Sequence, residues 1–108
     1  MKRQDFAEKV IEIVLLIPEG RVSTYGAIAK FIGTGGSART VGWVLRHSIE
    51  GKTIPAHRVV NASGLLSGAH AFSQDNPMET RLKNEGVFIK NQKVLNFKTV
   101  FWDPSTEL

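Results

Sequence analysis

Cysteine is missing from all 108 residues of the chain. Disulfides, thiolate metal sites and thiol nucleophiles are thereby excluded together. Long hydrophobic runs are missing too. The apolar stretch from Val10 to Ile17 is broken by Glu12 and falls well short of a bilayer span, so no membrane role is expected. Asp5 and Glu8 stand where a secretory leader needs positive charge, which points to a cytoplasmic protein. The three histidines, His47, His57 and His70, have no paired spacing that suggests a metal site. No metal or organic cofactor is indicated. Acidic residues are nearly absent from the middle of the chain. Between Gly20 and Val60 lie Arg21, Lys30, Arg39, Arg46, Lys52 and Arg58, opposed only by Glu50. That local excess exceeds the whole-chain net charge of +4. A basic middle between near-neutral ends fits a face that binds a polyanion.

What is present is the composition of one ordinary globular domain, 42% hydrophobic and 22% charged. The length suits a single domain over residues 1–108 with one modest core. Phe6, Val10, Ile13, Val14 and Ile17 recur at helical spacing and predict a first helix over Gln4–Ile17, stopped by Pro18-Glu19-Gly20. Ser23 or Thr24 is placed to cap a second helix, with Ala27, Ile28, Phe31 and Ile32 as its apolar face and Gly33 as its end. After the link Gly33-Thr34-Gly35-Gly36, Ser37 caps a third helix running to about His47. Its apolar face is read as Ala38, Val41, Val44 and Leu45; the opposite face carries Arg39, Gly42, Trp43 and Arg46. A fourth helix is bounded by Asn76 as N-cap, Pro77 at the first helical position, Glu79 completing a capping box, and Gly86 after the last turn. Val87 to Ile89 and Val94 to Asn96 flank Lys90 to Lys93 as a small hairpin, or wing. The tail from Asp103 to Leu108 is expected to fray. The fold class is therefore mainly α with a small β-hairpin, arranged like a helix-turn-helix or winged helix.

Two segments carry chemistry. Ser37, Ala38, Thr40 and Gly42 make the third helix thin, so that it can press against a DNA backbone or enter a narrow groove with Arg39 projecting toward the base stack. The second is Pro55-Ala56-His57-Arg58-Val59-Val60, followed by a loop rich in Gly, Ser and Ala. A long loop in a small domain is more often functional than idle.

The second segment resembles the active-site motif of the O6-alkylguanine-DNA alkyltransferases, Pro-Cys-His-Arg followed by two branched apolar residues. The one departure is Ala56, at the position of the family's nucleophilic cysteine. Val22-Ser23-Thr24-Tyr25-Gly26-Ala27-Ile28-Ala29 is similar to the family's Val-x-Thr-Tyr-Gly helix entry, and Ser37-Ala38-Arg39-Thr40-Val41-Gly42 to its recognition helix. Asn61-Ala62-Ser63-Gly64 and Leu82-Lys83-Asn84-Glu85-Gly86-Val87 follow in family order. Several ordered motifs at compatible spacing are a specific signal where one alone is weak. The likeness spans about residues 4 to 95, the family's DNA-binding domain, without the extra N-terminal domain of the larger enzymes.

The resemblance implies a non-catalytic, alkyltransferase-like lesion binder rather than an enzyme. Its partner would be double-stranded DNA containing O6-alkylguanine, gripped through the minor groove by Tyr25, Ser37, Ala38, Arg39, Thr40 and Gly42. The damaged nucleotide would be flipped into a pocket of Tyr25, Pro55, Ala56, Val59 and Ser67, with Leu65 to Phe72 as a mobile wall. Arg39 would replace the extruded base in the stack. His57 and Glu85, the pair that would activate a cysteine, would keep a structural role, and Arg58 would anchor a loop. Ser48 stands where the family usually has Asn, the residue that ties the recognition helix to the pocket. With no thiolate, alkyl transfer has no nucleophile. The family reading further implies a monomer, nucleoid-associated when on DNA, that flags the lesion for the damage-recognition proteins of nucleotide excision repair. Other readings remain: a Cys-to-Ala form of a true alkyltransferase, a winged-helix regulator reading the major groove, or a basic domain blind to sequence and damage.

Overall fold

In a computed structural model, residues 3–33, 36–48 and 54–108 are described, with side chains from Asp5 onward. Thr34 and Gly35 of the glycine link, and Gly51 to Thr53 at the start of the long loop, lie outside the described residues, as do Glu50 and Lys52 of the basic middle. Helix α1 covers Arg3–Leu16. Phe6, Val10, Ile13, Val14 and Ile17 are all buried, as their helical spacing predicts. Pro18 ends the helix, and Gly20, at φ 85°, turns the chain into strand β1, Ser23–Thr24.

Thr24 then caps helix α2, Tyr25–Ile32, its hydroxyl accepting from the Ala27 amide at 3.0 Å. Gly33, at φ 89°, closes α2 by donating its N–H to the Ala29 carbonyl. The buried face of α2 centres on Ile28 and Ala29, whereas Phe31 is exposed, contrary to the predicted face. Helix α3 covers Ala38–Ser48, with the Ser37 hydroxyl accepting from the Thr40 amide. Val41, Val44 and Leu45 are its buried face. Ala38 is exposed rather than buried, because it opens the first turn of the helix at the edge of that stripe. Gly36 admits close packing before α3, since a Cβ there would overlap the Phe6 ring.

A pairing that hydrophobic spacing did not reveal draws distant segments together. Strand β2, Val59–Val60, runs parallel to β1 in the register Ser23↔Val59 and Thr24↔Val60. Successive strand residues face opposite sides. Val59 accordingly joins a core of α1, α2 and α3 side chains, while Val60 joins a second cluster of Val22, Leu66, Met78, Leu82, Val87 and Val94.

Helix α4 covers Met78–Asn84 and starts later than the sequence suggests. Pro77 is its N-cap, without a side-chain capping bond. Asn76 is not the cap; its carbonyl accepts from Arg81 Nε, and Glu79 pairs with Lys83 and Gln92 in place of a capping box. The C-terminus is as predicted. Gly86, at φ 90°, donates to the Lys83 carbonyl, and Val87 donates to that of Leu82, the two bonds of a Schellman motif. Strands β3, Ile89–Lys90, and β4, Lys93–Val94, form the expected hairpin. Asn91 and Gln92 turn it at φ 52° and 61°, the signs that a two-residue type I′ connection needs.

The tail does not fray. Helix α5, Phe97–Val100, leads to Trp102, buried in the first core. Helix α6, Pro104–Glu107, is capped by the Asp103 carboxylate accepting from the Ser105 amide. Arg21 fixes this end by donating to the carbonyls of Val100 and Phe101 and pairing with Glu107. Among the described residues no helix is long and apolar enough to cross a membrane.

Candidate nucleic-acid interface

The β1–β2 pairing decides what the site contains. Tyr25 is the first residue after β1, and the 3-10 turn Ala56–Arg58 is the last element before β2. Pairing the two strands therefore brings Tyr25 and Ala56 to one cavity of about 310 Å³, within the range of small-ligand pockets. Ala38, Arg39, Gly42, Leu45 and Arg46 supply one side from α3. Ser67, Gly68, His70, Ala71 and Phe72 supply the other from the loop.

Tyr25 sits between the two sides. A Cβ on Gly42 would lie 3.8 Å from its ring, and one on Gly68 would lie 2.7 Å from its hydroxyl oxygen. Gly68 thus leaves room for the hydroxyl, with Ser67 beside it on the same wall. Burial raises the Tyr25 pKa above its ordinary value, against the smaller opposing effects of Ser67 and the Arg46 charge. The phenol is therefore a neutral donor and acceptor at the cavity wall.

The loop wall is pinned at both ends. Leu66 is buried and donates its N–H to the Gln92 carbonyl in the hairpin turn. Phe72 packs against both hydrophobic clusters, with the Arg81 guanidinium 4.8 Å above its ring. Leu65, predicted as part of the wall, bridges to Lys93 and does not line the cavity.

Behind Ala56 lies a buried polar cluster. His57 Nε2 and Glu85 Oε2 are 2.9 Å apart. Arg58 grips the same carboxylate through Nε and Nη2, at 2.9 and 2.7 Å, and donates from Nη1 to the Ile17 carbonyl. Burial lowers the His57 pKa below its ordinary value, outweighing the Glu85 carboxylate. For Glu85, burial works upward, but the hydrogen bonds and charges of Arg58 and His57 together hold the carboxyl low. The result is a carboxylate receiving Nε2–H from a neutral imidazole. His57 Nδ1 is then a bare acceptor, buried and without a partner among the described residues. No group of three potential metal ligands occurs among the described residues.

The structure gathers Tyr25, Ala56 and Ser67 with Ala38, Arg39 and Gly42 around one cavity. Pro55 and Val59 do not line it. Val59 is fully buried in the first core because its strand register turns it inward. Ser37 and Thr40 hydrogen-bond each other at the start of α3, outside the cavity. Ser48 donates to the Val44 carbonyl of its own helix and does not line the cavity. Sequence reasoning missed Leu45 and Arg46 as lining residues, because Leu45 reads as core and Arg46 as surface, whereas Gly68, His70, Ala71 and Phe72 fall within the predicted wall of Leu65 to Phe72. The basic middle is also thinner at the surface than it reads in sequence. Arg21 and Arg58 are spent on internal carbonyls and carboxylates, leaving Arg39 and Arg46 at the cavity.

A helix carrying Arg39 and Arg46 thus borders a half-open cavity, with the His57–Glu85 pair behind its Ala56 wall. Residues 5–87 match the model of the 6-O-methylguanine DNA methyltransferase DNA-binding domain, and the chain belongs to that family. It is 35% identical to the alkyltransferase-like protein 1 of Schizosaccharomyces pombe, covering 96% of this chain and all of that one. It is 38% identical to the DNA base-flipping protein of Escherichia coli, over 94% of this chain and 78% of the relative. Among solved structures, S. pombe Atl1 in complex with damaged DNA containing O6-carboxymethylguanine superposes with a TM-score of 0.81 at 34% identity, covering 96% of this chain and all of the other.

Proposed function

We propose that this chain binds duplex DNA carrying an O6-alkylated guanine, accepts the flipped nucleotide in the cavity beside Ala56, and leaves the alkyl group in place. The observation that carries this reading is the cavity itself. It combines room for a base, a methyl side chain at the position of the family's nucleophile, and an arginine at its α3 side. The kinship with a protein solved on O6-carboxymethylguanine DNA and with base-flipping proteins supports it.

The roles follow from chemistry. Ala38 and Gly42 let α3 approach the minor groove closely, with Ser37 and Thr40 at the leading turn. Arg39 fills the gap in the stack. Extrusion costs a few kcal/mol, less for a weakly paired damaged base. Arg39 and enclosure by Tyr25, Ser67 and Phe72 offset that cost. Ala56 has no lone pair, and the chain holds no cysteine to replace it. The lesion therefore leaves chemically intact, and an excision activity has to act next. Nucleotide excision repair is the reading we adopt, with its damage-recognition proteins as partners, on family analogy.

A fluorescent 2-aminopurine placed beside an O6-methylguanine tests flipping directly. The reporter is expected to brighten on adding protein and to stay dim with Arg39→Ala. Equal brightening with both proteins would overturn the role of Arg39; no brightening with either would overturn flipping.

A further inference from the structure

The two tryptophans of the chain lie in opposite environments. Trp102 is buried at 4% exposure, whereas Trp43, in the middle of α3, is 40% exposed. Trp43 is stacked on His47, ring centroids 4.1 Å apart and planes 28° from parallel. His47 Nδ1 is 2.8 Å from the Trp43 carbonyl. A carbonyl only accepts, so Nδ1 carries the hydrogen, and this bond fixes the imidazole against the indole. The pair is thus a rigid aromatic shelf on the helix surface.

Its position on the helix is informative. At about 100° per residue, Arg39 and Arg46 form the central ridge of the exposed face. Ala38, Gly42 and Leu45 fall on the flank that lines the cavity. Trp43 and His47 fall on the other flank, and neither lines the cavity. The helix contains no acidic residue from Ala38 to Ser48. A polyanion seated on the arginine ridge therefore lies against both flanks at once.

We propose that Trp43 and His47 form a second DNA contact, a platform for the sugar-phosphate backbone of the strand complementary to the flipped nucleotide. This rests on the reading of the cavity as the lesion pocket: if one flank of α3 takes the extruded strand, the other faces its complement. The indole packs against deoxyribose carbons, with the His47 ring stacked against it. Neither reaches a base edge, so the contact adds affinity without reading sequence or damage. Arg39 inserted between the flanks would then be braced from both sides.

The test uses the whole chain and two duplexes of one sequence, with guanine or O6-methylguanine at the centre. Trp43→Gln is expected to weaken both complexes by the same factor, about five- to tenfold, since removing an aromatic contact to nucleic acid typically has this scale. Trp43→Phe is expected to recover most of the loss, which separates the contact from a folding defect. Ultraviolet crosslinking through Trp43 is expected to label the complementary strand. Unchanged affinity in Trp43→Gln, a loss confined to the damaged duplex, or crosslinks to the lesion strand would each overturn the platform. Equal binding of both duplexes by the unaltered protein would instead overturn the lesion pocket, and the response of the undamaged duplex to Trp43→Gln would still decide the platform.

Discussion

Ala56 presents a methyl group to a cavity whose other walls come from α3 and the loop. Behind it, His57 Nδ1 is an unprotonated acceptor held by the Glu85 and Arg58 bonds. A thiol placed at residue 56 would have this acceptor on the next residue of the chain. Ala56→Cys is therefore expected to take one methyl group from O6-methylguanine DNA, seen as a gain of that mass on the protein. No gain would show that His57 is not poised toward position 56. Arg39→Ala acts on binding instead. Loss of the group that fills the stack is expected to weaken damaged-duplex binding roughly 30- to 100-fold, the equivalent of a few kcal/mol of extrusion cost left uncompensated. Titration of an O6-methylguanine duplex checks it, and an unchanged affinity would remove Arg39 from the mechanism. Much at this scale was legible in sequence, because Tyr25, Arg39 and Ala56 sit inside motifs. Val59 and Pro55 were not, since adjacent residues of one motif face different ways and only the strand register says which.

Between elements, the buried cluster does the joining. Arg58 and Glu85 link the end of α1, the turn at Ala56 and the end of α4. Removing one member leaves a buried charge unpaired, so Arg58→Met is expected to cost about 3 kcal/mol of stability in a denaturant titration. The same cluster sets an acid limit. Glu85 ionises below its ordinary value and His57 protonates below 6.5, its ordinary value. For both, the unfolded chain binds protons before the folded one does, so stability is lost as pH falls. The decline is expected to begin near the ordinary histidine range and steepen in the carboxylate range, followed by thermal unfolding at stepped pH; stability that held constant through both ranges would contradict it. Helix ends also carry weight. Thr24→Ala removes the cap of α2 and is expected to cost about 1 kcal/mol, with weaker lesion discrimination because Tyr25 is the next residue. The periodic helices α1, α2 and α3 were legible because apolar spacing and caps agree. The parallel β1–β2 pair was not. Two-residue strands have no period, and their pairing is non-local.

At the scale of the molecule, two hydrophobic clusters meet along β2, and the cavity opens where α3 and the loop diverge. The sequence suggested a loose tail, since Asp103 to Leu108 looked polar and terminal. Arg21 and Trp102 instead fasten it to the start of β1, contacts between the two ends of the chain that no local pattern announces. The charge reading was right in sign and too generous in extent, because Arg21 and Arg58 face inward. One measurement bears on the whole account: a paired titration of one short duplex containing guanine or O6-methylguanine, followed by analysis of the recovered DNA. The account predicts that the methylated duplex binds much more tightly and returns still methylated. Equal binding of the two, or recovery of unmethylated guanine, would contradict it.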